Sequence, residues 1–207
     1  MSPRPKTGMT EKGLRRKNDL LEAALALFTE KGYRATTITE IAKGAGTGKG
    51  TFYWYWRSKE DIFLELLDVK LGSYLDALQR AAKLKIDAGD KIAILIAEAS
   101  NIFLKYRKLC KLIFMLITED ADAFGGEVRQ RTEAFYRQYK KLIAGIFKEG
   151  VAAGTLAPDA DAAALASLLI AMLDGIAVQE AIFRKEYPID VIGAAVLRLF
   201  KTGVYRQ

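Results

Sequence analysis

The sequence predicts an all-α protein of about nine helices: an N-terminal three-helix domain carrying a helix-turn-helix, followed by a larger C-terminal helical bundle. Three observations carry that prediction. Helical spacing of apolar side chains dominates everything beyond the first 17 residues. Capping-box tetrapeptides and glycine stops punctuate the N-terminal third at short intervals. Only four of the 207 residues are proline, so long uninterrupted helices are allowed.

Leu14, Leu21, Ala24, Leu25 and Phe28 form one stripe, and Lys31-Gly32 supplies a basic last turn and a stop, giving a first helix of about five turns. Thr37-Ile38-Thr39-Glu40 has the capping-box form, and Ile38, Ile41, Ala42 and Ala45 continue it as a short helix ending at Gly46. After Gly46-Thr47-Gly48 a third helix runs from Lys49 to about Arg57. Ser58-Lys59-Glu60-Asp61 opens a long fourth one, to about Leu84. Two short helices across a glycine-containing turn make the helix-turn-helix pattern. Further helices read from Asp90 to Tyr106, Arg107 to about Glu119 and Gly126 to Ala153. A break at Gly154 to Pro158 precedes helices from about Asp159 to Phe183 and from Pro188 to Lys201. The domain division expected from this order is 1–58 and 59–207.

With 51% hydrophobic residues and 32 Lys and Arg against 25 Asp and Glu, a net charge of +7, the chain is not disordered, collagen-like or disulfide-stapled. Histidine is absent, which removes the commonest neutral-pH base and the commonest nitrogen ligand of zinc. No metal-ligand cluster, phosphate-cradling glycine loop or nucleophile with a nearby base takes its place, so no catalytic residue, metal or cofactor is expected. The single cysteine, Cys110, cannot close an internal disulfide and suits a cytoplasmic protein. No apolar run able to act as a signal peptide follows the basic N-terminus. The apolar run Ala162 to Leu173, between Asp161 and Asp174, falls short of the ~20 residues a bilayer requires, so no membrane partner is expected. The N-terminus itself sets Arg4, Lys6, Lys12, Arg15, Arg16 and Lys17 against Glu11. A solvated tail and an arm drawn to phosphate or anionic lipid both fit that composition.

The third helix is more specific. On a wheel at ~100° per residue, Phe52 and Trp56 point together toward a core. Gly50, Thr51 and Trp54 point away, and Lys49, Tyr53 and Tyr55 lie on the flanks. A solvated face would carry charge; a bare glycine, a threonine and a large aromatic suit contact. Glycine permits close backbone approach, threonine and lysine can donate to phosphates or base edges, and aromatic rings can pack on thymine methyls or sugars. Completion of a core by Tyr53 and Tyr55 is the plainer alternative.

Leu20 to Leu66, with Ala23-Ala24-Leu25-Ala26-Leu27-Phe28, Lys31-Gly32-Tyr33, Thr36-Thr37-Ile38, Glu40-Ile41-Ala42, Lys49-Gly50-Thr51-Phe52-Tyr53 and Ser58-Lys59-Glu60, closely resembles the DNA-binding domain of TetR-family transcriptional regulators. The resemblance implies a homodimer that binds duplex DNA, most often as a repressor, and whose C-terminal part binds a small-molecule effector. Position by position, it implies that Thr37 and Thr39 start the support helix beside the DNA. Lys49, Gly50, Thr51, Tyr53, Trp54 and Tyr55 would face the groove, and Lys59 would grip a phosphate. The chain departs from the family pattern at Thr47, Gly48, Tyr55 and Trp56. Glycine at an N-cap costs only a few tenths of a kcal/mol relative to serine.

In the C-terminal two thirds, Phe103, Tyr106, Phe114, Met115, Phe135, Tyr136 and Tyr139 form an aromatic and Met-rich group. With Asn101 and Gln179 they are candidates for an effector pocket, although such stripes also build ordinary cores. The basic residues Arg107, Lys108 and Lys111 suit an acidic or acyl-type effector, or simply a solvated face. Ala163 to Gly175 is apolar nearly all round, and Ile189, Ile192, Val196, Leu199 and Phe200 stripe the last helix. The two could pair with their copies in a four-helix interface through Leu168, Ala171, Gly175, Ile192, Val196 and Leu199. An enzyme and a DNA-independent scaffold or membrane-surface protein are the rival classes, and neither requires the helix-turn-helix spacing.

Overall fold

The computed structural model describes residues 10–118, 123–183 and 189–203. Among them are eight α-helices and no strand: α1 (Glu11–Lys31), α2 (Ile38–Gly44), α3 (Lys49–Tyr55), α4 (Lys59–Ala82), α5 (Ala88–Thr118), α6 (Glu127–Ala152), α7 (Ala162–Phe183) and α8 (Ile189–Gly203). A 3₁₀ turn at Ala123–Gly126 precedes α6. The count is eight where nine were expected because the helices read on either side of Tyr106–Arg107 are one. Tyr106 leaves helical geometry (φ −118°, ψ 19°), so the boundary survives as a kink within α5. Residues 1–9, which carry Arg4 and Lys6 of the basic arm, lie outside the described residues.

The N-terminal helices begin and end where their local chemistry directs. Thr10 caps α1 by accepting the Gly13 N–H at 3.2 Å. The capping box of α2 is closed: the Glu40 N–H donates to Thr37 Oγ1 at 3.3 Å, and the Thr37 N–H donates to Glu40 Oε2 at 2.9 Å. This helix stops at Gly44 rather than Gly46, because Gly46 turns into the left-handed region (φ +64°) and the Thr47 N–H closes back on the Ala42 carbonyl. Helix α3 has no side-chain cap at Gly48. At the start of α4, Ser58 Oγ accepts the Asp61 N–H, while the Asp61 carboxylate takes the N–H of Arg57.

The contacts gather into two compact units that do not follow a cut at residue 58. One holds residues 1–70 with 108–130, the other 71–107 with 131–207. In the first, Leu20, Leu21, Ala24 and Phe28 of α1, Ile41 and Ala42 of α2, Phe52 of α3, and Ile62, Phe63, Leu66 and Leu67 of α4 are buried. The early turns of α4 belong to this core, which is why it extends past residue 58. Leu14 falls on the apolar stripe of α1 yet is 50% exposed, since the stripe outruns the core at that end.

The core of the second unit joins Leu75 and Leu78 of α4, Ile92, Leu95 and Ile96 of α5, Phe135, Tyr139, Ile143 and Phe147 of α6, Ala166, Leu169 and Ile170 of α7, and Val196 of α8. The Lys91 ammonium, buried at its stem, pairs with Glu149 at 2.6 Å. Helix α7 extends beyond the apolar run read from the sequence. Its window Ala162–Gln179 has the length and composition of a membrane span, and only 22% of it is buried in the chain.

Gly150 makes a sharp packing test. A Cβ there would lie 2.7 Å from Leu156 Cδ1 and 2.9 Å from Ala88 Cβ, both on buried residues. Gly150→Ala should therefore destabilise the protein by about 1–3 kcal/mol through overpacking. Urea unfolding would show it as a lowered midpoint at unchanged slope.

Candidate nucleic-acid interface

Helix α3 turns as its wheel predicts. Phe52 is fully buried and Trp56 is 3% exposed, whereas Tyr53 is 49% and Trp54 60% exposed. Lys49 and Gly50 are exposed at its first turn, and a Cβ on Gly50 would meet nothing within 4 Å. Packing within the chain thus imposes no glycine at position 50. The Lys49 ammonium sits 5.9 Å from the Tyr53 ring centre, placing charge and aromatic surface side by side. Thr39 is exposed on α2, and Thr37 is committed to its cap. Thr51 is half-buried, its hydroxyl hydrogen-bonded to that of Thr47 at 2.8 Å across the turn.

One groove-facing assignment, Tyr55, and the phosphate assignment of Lys59 meet a different geometry. Tyr55 is turned back: its hydroxyl donates to the Gly13 carbonyl at 2.9 Å and ties α3 to the first turn of α1. The Lys59 ammonium donates to the carbonyls of Tyr33 (2.8 Å), Thr36 (2.9 Å) and Arg34 (3.3 Å), and lies 4.4 Å from the centre of the Tyr33 ring. A lysine at the head of a helix reads in sequence as a free cation. The loop carbonyls that capture this one come from more than 20 residues upstream and have no pattern in the sequence.

Other residues outside the expected set hold the unit in shape. Trp56 Nε1 donates to Glu65 at 2.7 Å, and Lys17 pairs with the same carboxylate. The Tyr33 hydroxyl donates to Glu60 at 2.9 Å, and burial, reinforced by that carboxylate, pushes its phenol well above the ordinary value. Burial likewise lowers the affinity of Lys59 for its proton.

The candidate effector residues are dispersed. Phe135 and Tyr139 are buried in the core of the second unit with Tyr74, the rings 5.5–5.6 Å apart and the two tyrosine hydroxyls bonded at 3.2 Å. They fill space rather than line it. Phe103 borders a cleft with Ala99, Ser100, Leu173, Ile176 and Ala177 of about 20 Å³, room for roughly one water. Asn101 and Gln179 are exposed, and Tyr106 is half-buried at the kink. Phe114 belongs to the first unit and is 55% exposed; the side chain of Met115 lies outside the described residues. Of the candidate dimer residues, Leu168, Ala171 and Leu199 are exposed and Gly175 and Ile192 half-buried. Val196 points inward at 4% and is a core residue.

This is a helical protein in which a short, rigidly seated helix presents exposed aromatic and basic groups beside a supporting helix, the build of a helix-turn-helix DNA-binding regulator. Two family profiles match in tandem: "Bacterial regulatory proteins, tetR family" over residues 20–66, and "Tetracyclin repressor-like, C-terminal domain" over residues 112–196. The chain belongs to the TetR family and is a DNA-binding transcriptional regulator. It is 24% identical over 188 residues to the fatty acid metabolism regulator protein of Bacillus subtilis, an alignment covering 91% of this chain and 95% of that one. It is 29% identical over 150 residues to the transcriptional repressor KstR2 of Mycobacterium tuberculosis, covering 70% and 72%. The fold is similar to that of the regulator FadR from Bacillus subtilis, solved in complex with stearoyl-CoA, with a TM-score of 0.74 at 23% identity over 91% of this chain and 99% of that chain.

The cap of α2 yields a pH prediction. Hydrogen bonds from Lys31 and then from Thr37 hold the Glu40 carboxyl down to about 2, below its ordinary 4.5. A lowered carboxyl contributes stability in full above the unfolded value and loses it as pH falls toward the folded one. Glu40→Gln should therefore unfold more readily than wild type at neutral pH, with the difference shrinking between about pH 4.5 and 2. Thermal melts across that range should show the two converging; a constant gap would mean that Glu40 acts without its charge.

Proposed function

We propose that this regulator is a repressor, and not an enzyme, which binds a roughly palindromic operator as a homodimer in the bacterial cytoplasm and is released by a small apolar or amphipathic effector. The observation that carries the reading is the exposed face of α3: Lys49, Gly50, Tyr53 and Trp54 stand outward behind fully seated Phe52 and Trp56. Thr37 and Thr39 begin the neighbouring helix, and Thr51 offers a hydroxyl at its edge. Residues 1–58 serve DNA binding, with the first turns of α4 as their packing support, and 59–207 serve the effector and the dimer. Trp54→Ala should weaken binding to an operator selected from random duplexes by about 1–3 kcal/mol while leaving the melting temperature unchanged. Unaltered operator affinity in that variant would remove α3 from the interface.

Dimerisation accounts for α7 better than a membrane does. Its uncovered apolar surface continues onto α8, where Val191 is 66% and Leu199 55% exposed, alongside Leu168 (51%) and Val178 (41%) on α7. A two-fold copy would cover both helices and set two α3 helices for successive major grooves. Leu168→Glu with Leu199→Glu probes that face without touching the monomer core. Each would bury an unpaired carboxylate at several kcal/mol, so the protein should sediment as a monomer at micromolar concentration. A persisting dimer would place the interface elsewhere.

The effector reading rests on the aromatic content of the second unit and on relatives whose names or ligands concern fatty acids and acyl-CoA. Since the Phe103 cleft admits roughly one water, a ligand must open it by parting α5 from α7. Induction requires a ligand that prefers the DNA-free shape, and a coupling of about 1–3 kcal/mol gives a 5- to 150-fold loss of operator affinity. Calorimetric titration of stearoyl-CoA and of lipophilic compounds should give weaker binding to the operator complex than to free protein by that same factor. Equal affinities would refute induction.

A further inference from the structure

We propose that Lys59 serves DNA recognition as a positioning residue, clamping the loop that seats the first turn of α2, and makes no contact with a phosphate. The inference rests on the reading of α2 and α3 as the DNA-binding pair.

An ammonium group has three protons. Those of Lys59 are spent on the carbonyls of Tyr33, Arg34 and Thr36, which converge on it at 2.8–3.3 Å. The Tyr33 ring closes a further side at 4.4 Å. That ring cannot drift. It packs on Phe28 at 5.3 Å, Phe63 at 5.3 Å and Phe124 at 4.8 Å, and its hydroxyl is held by Glu60. The far end of the clamp is equally fixed: Thr36 is 1% exposed, and its hydroxyl donates to the Gly32 carbonyl at 2.8 Å. The next residue, Thr37, is the cap of α2 and the partner of Glu40. Lys59 thus sets the path of the chain from the end of α1 into α2, and α2 packs on α3. To reach a phosphate, the ammonium would have to leave three carbonyls and a ring face, stranding carbonyls of which one belongs to the buried Thr36.

The two roles differ in what arginine can replace. A planar guanidinium suits a phosphate but cannot direct three protons into a cone of carbonyls. Lys59→Arg and Lys59→Met would be measured against a selected operator and a random duplex over a range of salt, with hydrogen exchange of the amides of residues 38–44 followed in the free proteins. The positioning role expects both variants to lose about tenfold or more in operator affinity. It expects random-duplex affinity and the salt slope to stay unchanged, and exchange in α2 to rise in both. A phosphate contact predicts rescue by arginine, and for methionine a slope reduced by about 0.9 per protomer on both duplexes; that result overturns the proposal. So does operator affinity unchanged in both variants. Should Lys59→Met fail to fold, Lys59→Arg alone separates rescue from loss. Should wild type show no preference among duplexes, the regulator reading fails instead, and unchanged α2 exchange in Lys59→Arg would still overturn the clamp.

Discussion

The seating of two rings, Phe52 and Trp56, governs what this molecule offers to a partner. Helix α3 is seven residues long and lacks a side-chain cap, so it has little stability of its own. It exists because those rings are buried at 0% and 3%, and because the Trp56 indole is anchored to Glu65, which Lys17 also pairs. Tyr55 adds a tether to Gly13. With one face pinned in this way, helical geometry leaves Tyr53 and Trp54 no inward position. Their exposure is a consequence of the core, and it leaves a large aromatic surface that only a partner can cover.

An analogous imbalance marks the other end of the chain. A core helix of a monomer buries one stripe and solvates the rest, as α6 does with Phe135, Tyr139, Ile143 and Phe147 inside and Arg137, Lys140 and Lys141 outside. Helix α7 has no such polar face. Ala166, Leu169 and Ile170 satisfy the monomer, while Leu168, Ala171 and Val178 remain uncovered. Asp174 interrupts this surface and receives the Tyr136 hydroxyl at 3.0 Å, so even the one acid in the run has a partner within its own unit.

Local chemistry was legible in the sequence, and chemistry at long range was not. The capping box at Thr37, the orientation of α3 and the change of direction at Tyr106 follow from spacing or from side chains within four residues of one another. Residues that act across 20 or more positions carry no such mark. A wheel of α3 sets Tyr55 on a flank because it shows only the helix that bears it, and the resemblance that assigned Lys59 to a phosphate is equally blind to the Gly13, Tyr33 and Thr36 carbonyls that engage the two, backbone groups available at any residue. Val196 was expected in a dimer interface for the same reason: the stripe on α8 is real, but the core of the second unit occupies part of it. The aromatic group in α5 and α6 was visible as composition, yet whether a ring lines a cleft, as Phe103 does, or fills a core, as Tyr139 does, is decided by its neighbours.

The way the chain passes between its two units bears on how a regulator of this kind can respond. It crosses three times, at residues 70–71, 107–108 and 130–131, and each crossing falls inside a helix, in α4, α5 and α6. Each boundary between the units is therefore spanned by a helix and not by an irregular linker. A helix moves along its length as a packed element with discrete alternatives. The Tyr106 kink, where the backbone departs from helical geometry, lies next to the α5 crossing. In the first unit, residues 108–130 bring Phe124 against Tyr33 and Phe63, so the segment reached through α5 and α6 ends on the same ring that Lys59 covers.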